Sequence, residues 1–189
     1  MILIRHGQSE FNVVFGATRR DPGIRDPKLT QEGRRQAEEL AGRLEAHGLA
    51  RLIASPYRRA LETAEILAAR LGLAIEVQAV VGERAAFTCD IGSSPAELRE
   101  RWPHLDLAHL PERWWPEFEE SEPQLHRRCA SFRAHMTAQA DWRRVAVVTH
   151  WGFIRGLTGL TVPNAAALRV DPHRPEVDPE PLHMPEPTR

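Results

Sequence analysis

The chain has 189 residues, of which 42% are hydrophobic and 27% charged, and its formal net charge is −1 at pH 7. This length predicts one domain with one core, and the near-neutral charge makes nucleic acid and anionic membranes unexpected partners. Cys89 and Cys129 have neither CxxC nor metal-ligand spacing, and Met1 leads straight into an apolar strand. We therefore expect a reduced, cytoplasmic protein without a signal peptide or membrane span.

The first half of the chain alternates strand and helix patterns. In chain order it predicts a strand at 2–4, a long loop at 11–29, a helix from the N-cap Thr30 to about 47–48, a strand at 52–54, a helix opened by Ser55-Pro56 and ending near 71–72, and a strand at 74–77. This order predicts an α/β fold, a three-layer α/β/α sandwich with a mostly parallel central sheet.

The second half begins with a looser segment, about 84–122, which we interpret as a small cap or lid insertion. Ser94 to Glu97 form a capping box there, and the tryptophans of the segment either pack the lid onto the body or line a pocket. Beyond it the sequence predicts a helix at 122–140, a strand at 144–149, a helix from His150 and an edge strand within 161–170. Residues 1–170 then form one folded domain, and the proline-rich tail 171–189 is expected to be extended or disordered rather than packed.

Two histidines directly follow buried-strand patterns. His6 comes after Ile2-Leu3-Ile4-Arg5, and His150 comes after Val145 to Thr149. Ligands of open α/β sheets bind at the carboxyl ends of the strands, so both histidines are expected in one pocket.

The side chains around these histidines suit phosphoryl transfer. His6 can attack phosphorus if it is neutral and its other ring nitrogen is held by a backbone carbonyl at the Gly7 turn. Arg5, His150 and one arginine of the Arg58-Arg59 pair are candidates for binding the phosphate oxygens. Adjacent helical residues diverge by about 100°, so only one of that pair can face the pocket. The residues alone do not identify the proton donor among the carboxylates.

Several motifs in order resemble the histidine phosphatase superfamily, also called the phosphoglycerate mutase-like family. They are Arg5-His6-Gly7-Gln8-Ser9 with Asn12, Leu29-Thr30-Gln31-Glu32-Gly33 with Gln36-Ala37, Ser55-Pro56-Tyr57-Arg58-Arg59-Ala60-Leu61-Glu62-Thr63-Ala64, Glu83, and His150-Trp151-Gly152-Phe153-Ile154-Arg155. The resemblance spans residues 2 to about 170.

The resemblance implies a role for each matching residue. His6 would be phosphorylated, and Glu83 would be the proton donor, with Asp90 and Glu97 as alternatives near it in sequence. Arg5, Arg59 and His150 would bind the phosphate, which selects Arg59 over Arg58. The remaining candidates bind substrate: Ser9, Asn12, Arg84, Trp151 and Gly152. Trp151 stands where the family usually has glycine, and its bulk is expected to narrow the pocket.

The resemblance further implies a metal-independent phosphomonoesterase that needs no cofactor and acts on a small phosphorylated metabolite. Arg84 after the acid is typical of the mutase branch, but Ala85-Ala86-Phe87 and the short lid depart from it. Phosphoglycerate mutase-type transfer is therefore the alternative. A low-turnover phospholigand- or protein-binding module comes third. The sequence leaves the oligomeric state open, a homo-oligomer included.

Overall fold

The strands of the computed structural model form one mixed sheet, and the structure describes residues 1–117, 119–174 and 179–186. Within these ranges the strands are β1 (Ile2–Arg5), β2 (Arg51–Ala54), β3 (Ile75–Val77), β4 (Val145–Thr149), β5 (Ala167–Arg169) and β6 (Glu180–His183). Their order is β3-β2-β4-β1-β5-β6; the first four in this order pair in parallel, and β5 and β6 are antiparallel. The predicted mostly parallel sheet is confirmed.

Helices cover both faces of this sheet. They are α1 (Glu10–Thr18), α2 (Gln31–Leu44), α3 (Arg58–Leu71), α4 (Pro95–Arg101), α5 (Glu122–Thr137) and α6 (Trp151–Thr158). Side chains alternate along a strand: Ile2 and Ile4 join a buried cluster with α2 and α3, whereas Leu3 joins a second cluster with α5 and α6. The three-layer α/β/α architecture is therefore confirmed.

Helix α1 replaces part of a predicted loop. The prediction of a loop over 11–29 is wrong for residues 11–18, because Ser9 and Asn12 form a reciprocal capping box that starts a helix. Phe11 and Phe15 stack with ring centroids 5.1 Å apart, and both contact Phe87, so this helix packs against the segment after β3.

Helix α3 begins later than the sequence predicts. Its N-cap is Tyr57, and Arg58 is its first residue, so Ser55 and Pro56 are not the cap and first turn. The Ser55 hydroxyl instead lies 2.8 Å from Nε2 of His150. The serine is thereby part of the site at the sheet edge rather than a helix cap.

The C-terminal region also differs from expectation. Residues 161–166 are not a strand, and β5 is not the edge, because β6 from the proline-rich tail pairs with it. The sequence does not predict that the tail pairs with β5, since Pro181 and the scarcity of apolar residues disfavour a strand. Residues 175–178 and 187–189 of this tail lie outside the described residues.

The segment between β3 and α5 packs onto the body through its aromatic side chains. Trp102 and Trp114 are buried in the cluster that covers α2 and α3, and Trp115 is partly buried against the same cluster. The Trp114 ring meets the Tyr57 ring at a centroid distance of 4.7 Å. Of the two uses considered for these tryptophans, packing is the one observed; the role of the segment as a cap or lid stays a prediction.

Candidate active site

The two strand-end histidines lie side by side. β1 and β4 are parallel neighbours with Arg5 opposite Thr149, so His6 and His150 leave the sheet at the same edge. Their ring centroids are 5.1 Å apart, and their exposed fractions are 2% and 0%. The sheet register alone thus brings together two residues from opposite ends of the chain.

His6 is held in a defined tautomer. Its Nδ1 lies 2.7 Å from the carbonyl oxygen of Gly7, and a carbonyl only accepts, so Nδ1–H donates and Nε2 carries the lone pair. Burial and the charges of Arg59 and Arg5 lower the pKa of His6 well below its ordinary range. The ring is therefore neutral, as a nucleophile must be.

The Gly7 carbonyl is itself fixed by close backbone packing. A Cβ on Gly7 would overlap the carbonyl of Gly33 in α2, and the Gly7 amide donates to Oγ1 of Thr63 at 3.1 Å. Glycine is required at this position because the first loop and α2 touch through their backbones.

His150 presents one unused ring nitrogen. Its Nε2 is bonded to the Ser55 hydroxyl, and its buried Nδ1 has no partner among the described residues. The edge of the Tyr57 ring lies against the imidazole at 5.0 Å between centroids. Burial, followed by the charges of Arg59 and His6, lowers the pKa of His150 well below its ordinary range. Its Nδ1 can interact with an oxygen of a bound phosphate.

Arg59 is the buried arginine of the adjacent pair. Its exposed fraction is 3%, and its guanidinium donates to the Cys89 carbonyl at 2.9 Å and to Oδ1 of Asp90 at 3.2 Å. Among the described residues these contacts use two of the five N–H donors of the side chain. The remaining donors are available to an anion.

Arg58 points elsewhere. Its Nε donates to Glu62 at 2.8 Å, four residues along the same helix. The adjacent arginines therefore diverge as the helix geometry predicts, and Arg59 is the one next to the histidines.

Arg5 and Glu83 complete the group around the histidines. Arg5 donates to the carbonyl of Val162 at 2.7 Å, its Nε is buried without a partner in the described residues, and burial lowers its pKa to about 10. Oε1 of Glu83 accepts from the amides of Arg84 at 2.9 Å and Gly152 at 2.8 Å. Burial and the charge of Asp90 raise the pKa of Glu83, against the opposing effect of Arg59. A raised carboxyl pKa suits a proton donor.

The first two residues of α6 differ in exposure, because Trp151 is exposed and Gly152 is buried. A Cβ on Gly152 would overlap the Glu83 carboxylate, so glycine is needed for the contact between the two. Trp151 is 38% exposed and has the Arg155 guanidinium 5.3 Å from its ring centroid. The tryptophan lies at the surface, and its effect on the pocket stays a prediction.

The other predicted substrate-binding residues have protein partners. Ser9 and Asn12 bond to one another at the start of α1, and Asn164 donates to Oδ1 of Asn12 at 3.1 Å and to the His6 carbonyl at 3.2 Å. Arg84 donates to the Glu120 carbonyl and pairs with Glu122, so its guanidinium is directed toward the start of α5.

Four contributors to the site were not assigned by the sequence. The sequence predicts a helix cap at Ser55, and Tyr57 lies in the same motif, so both positions have a signal in the sequence. No local sequence pattern indicates that Asn164 bonds to the His6 carbonyl or that Asp90 accepts from Arg59. Among the described residues, no group of three or more histidine, cysteine or acidic side chains is arranged to hold a metal ion. No helix in the described ranges has the length and apolar character needed to cross a bilayer.

Comparison with known proteins finds relatives named as mutase-like and as phosphatases. The chain is 31% identical over 170 residues to "Phosphoglycerate mutase-like protein 4" of Arabidopsis thaliana, covering 87% of this chain and 72% of the relative. It is also 31% identical over 176 residues to "Glucosyl-3-phosphoglycerate phosphatase" of Mycolicibacterium vanbaalenii, covering 87% and 76%.

A solved structure of a mycobacterial glucosyl-3-phosphoglycerate phosphatase superposes with a TM-score of 0.62 at 26% identity, covering 89% of this chain and 87% of that one. The model of the histidine phosphatase superfamily, branch 1, matches residues 1–174. With paired histidines at one sheet edge and a family match over most of its length, the chain belongs to the histidine phosphatase superfamily.

Proposed function

We propose that the chain is a metal-independent phosphomonoesterase that acts through a phosphohistidine on His6. The observation that carries the proposal is the neutral His6 ring, with Nδ1–H bonded to Gly7 and Nε2 free to attack. Cationic and polar groups of Arg5, Arg59 and His150 surround it, as transfer of a phosphoryl group requires.

The first step forms a bond from Nε2 of His6 to phosphorus and breaks the ester P–O bond. Glu83 gives its proton to the leaving oxygen and becomes a carboxylate. In the second step water attacks the phosphohistidine while Glu83 takes one of its protons. Phosphate leaves, and His6 and Glu83 return to their starting states.

Two cationic arginines and the neutral His150 ring would interact with the transferring phosphoryl oxygens. Arg59 offers its remaining N–H donors, Arg5 its unpaired Nε, and His150 its unpaired Nδ1. These side chains are held by protein contacts before substrate arrives, so little reorganisation is needed during reaction.

The substrate we propose is a small phosphorylated metabolite. The relative named for glucosyl-3-phosphoglycerate supports a small anionic ester as the class. A second candidate, mutase-type transfer, is favoured by the relative named as phosphoglycerate mutase-like. Against it, the Arg84 guanidinium is already paired with Glu122 and bonded to Glu120.

A screen of phosphorylated metabolites, with and without a bisphosphate primer, separates these candidates. We expect release of inorganic phosphate without primer. Relocation of phosphate that depends on the primer would instead support the mutase. Binding without turnover of any ester would support a phospholigand-binding module.

A further inference from the structure

Asp90 is a buried carboxylate between Arg59 and the segment that carries Glu83. Its exposed fraction is 2%. Oδ1 accepts from Arg59 at 3.2 Å and from the Cys89 thiol at 3.3 Å. Oδ2 accepts from the amides of Ala86 and Phe87, both at 3.0 Å. Both oxygens are thus engaged, and Asp90 is not placed to be the proton donor.

The backbone of Asp90 also contacts the start of α3. Its carbonyl accepts from the Tyr57 hydroxyl at 2.7 Å. The Tyr57 ring lies 4.6 Å from the Arg59 guanidinium carbon and also contacts His150. One residue therefore joins the start of α3, the loop after β3 and the neighbours of the second histidine.

We infer that Asp90 is a positioning residue that fixes the Arg59 guanidinium relative to the 83–87 segment, and so relative to Glu83. The inference rests on the proposed function. Without the carboxylate, Arg59 would lose its anionic partner and two loop amides would lose their acceptor. A displacement of about 1 Å in a reacting group can cost on the order of 100-fold in rate.

The carboxylate also acts on Glu83 through space. Glu83 faces the charges of Asp90, Arg59 and Arg5 and accepts from the amides of Arg84 and Gly152. The buried Tyr57 hydroxyl and Cys89 thiol also interact with it electrostatically. The negative charge of Asp90 raises the pKa of Glu83, whereas both arginines lower it. Neutralising Asp90 should let Glu83 ionise at lower pH, so the alkaline limb of the rate profile should move to lower pH.

Asp26 provides a matched control. It is also buried, and it also joins the start of α3 to the cap, because its carboxylate accepts from the Arg58 amide at 2.9 Å and from the Ser93 amide at 3.0 Å. Among the described residues its carboxylate makes no hydrogen bond to Arg59, and the two interact only through their charges. Its positive φ of 41° is a conformation that asparagine tolerates.

The experiment compares Asp90→Asn with Asp26→Asn on an alkyl phosphate across pH, with thermal unfolding measured for each. We expect Asp90→Asn to lower kcat/KM by roughly 10- to 100-fold and to shift the alkaline limb to lower pH. Asp26→Asn should leave the limb in place and change kcat/KM by less than about 3-fold, even if its melting temperature falls equally. The inference would be overturned if both variants lost kcat/KM equally and had the alkaline limb of the rate profile at the same pH.

A double-mutant cycle tests whether Asp90 acts through Arg59. In an Arg59→Ala background, Asp90→Asn should cost far less than it does alone, because coupled residues are not additive. If the double variant lowers kcat/KM by the product of the two single-variant factors, the inference is contradicted.

If Asp90→Asn does not fold, Asp90→Glu retains the charge but displaces the carboxylate, and we expect lower kcat/KM with the limb unmoved. A wild-type rate in Asp90→Glu would count against positioning. A wild-type protein without phosphatase activity would overturn the proposed function together with the inference, whereas an active wild type with unaffected Asp90 variants overturns the inference alone.

Discussion

The tautomer of the His6 ring is set by the next residue in the sequence. The Gly7 carbonyl fixes the tautomer, and burial together with the charges of Arg59 and Arg5 lowers the pKa of the ring and favours its neutral form. Charge and hydrogen bonding thus favour the same protonation state, with the proton on Nδ1 and the lone pair on Nε2.

Removal of this ring should abolish turnover. We expect His6→Ala to retain the fold, since neighbouring β1 residues supply the core contacts, but to form no phosphoenzyme. Acid-quenched wild-type protein incubated with labelled substrate should carry an acid-labile phosphate that the variant lacks. His104→Ala, at a histidine 60% exposed, is the control. Near-normal turnover by His6→Ala would contradict the covalent mechanism.

The adjacent arginines should respond very differently to substitution. Arg59→Ala removes a charged donor beside the histidines and should lower kcat/KM by about 100-fold or more, as loss of an oxyanion donor does. Arg58→Ala should change it little, because that side chain pairs with Glu62. Steady-state kinetics on folded samples, checked by circular dichroism, measure both. A larger loss at Arg58 would mean that the other arginine binds the phosphate.

The pH profile should be bell-shaped. Glu83 must hold its proton in the first step, so the rate falls as pH rises through its raised pKa, and it falls again at low pH where His6 becomes protonated. The lowered pKa of His6 and the raised pKa of Glu83 open a window at mildly acidic to neutral pH.

Glu83→Gln tests this assignment. Glutamine keeps an oxygen for the amides of Arg84 and Gly152 but cannot donate a carboxylic proton. We expect the alkaline limb to disappear and alkyl phosphates to be slowed roughly 100-fold, with aryl phosphates much less affected, because a phenolate leaves without protonation. Equal slowing of both esters would argue against Glu83 as the donor.

At the level of elements, the first turn of α6 is shaped to receive the Glu83 carboxylate. The Gly152 amide donates to it, and no Cβ fits between them. The start of α6 and the Glu83 carboxylate are therefore in direct contact, although Gly152 follows Glu83 by 69 positions in the sequence.

Gly152→Ala should displace that carboxylate. We expect a loss of about 10-fold or more in kcat/KM for an alkyl phosphate, since the proton donor is moved by a clash. Gly42→Ala in α2, where a Cβ meets open space, should leave kinetics unchanged and raise stability by roughly 0.5–1 kcal/mol. Kinetics together with thermal unfolding of both variants check the prediction. Wild-type activity in Gly152→Ala would show that the contact is dispensable.

The sequence anticipates those elements whose signal is local. Apolar runs before His6 and His150 predict the two central strands, and Thr30 is the N-cap of α2 as expected. Helix α1 was missed because Val13 and Val14 are exposed instead of forming an apolar face. The partners of Arg59 could not be predicted, since Asp90 lies in an irregular segment and only tertiary packing brings it to α3.

At the scale of the whole molecule, the site holds two cationic side chains of the protein itself. Arg5 and Arg59 arise from a strand end and a helix start that the sheet brings together. We expect phosphate release to continue unchanged in excess chelator, because these side chains meet the phosphate charge. Inactivation by chelator with rescue by a divalent cation would place the protein in another mechanistic class.

Strand β6 affects how readily one edge of the sheet can pair with another chain. An uncovered sheet edge is a template for pairing with other chains, and β5 would be such an edge without it. The outer strand is short and contains Pro181, which has no N–H to donate, and the ion pair between Glu180 and Arg169 adds charge beside it. At this edge of the sheet we therefore expect β6 to disfavour pairing with another chain, whereas β3 forms the opposite edge.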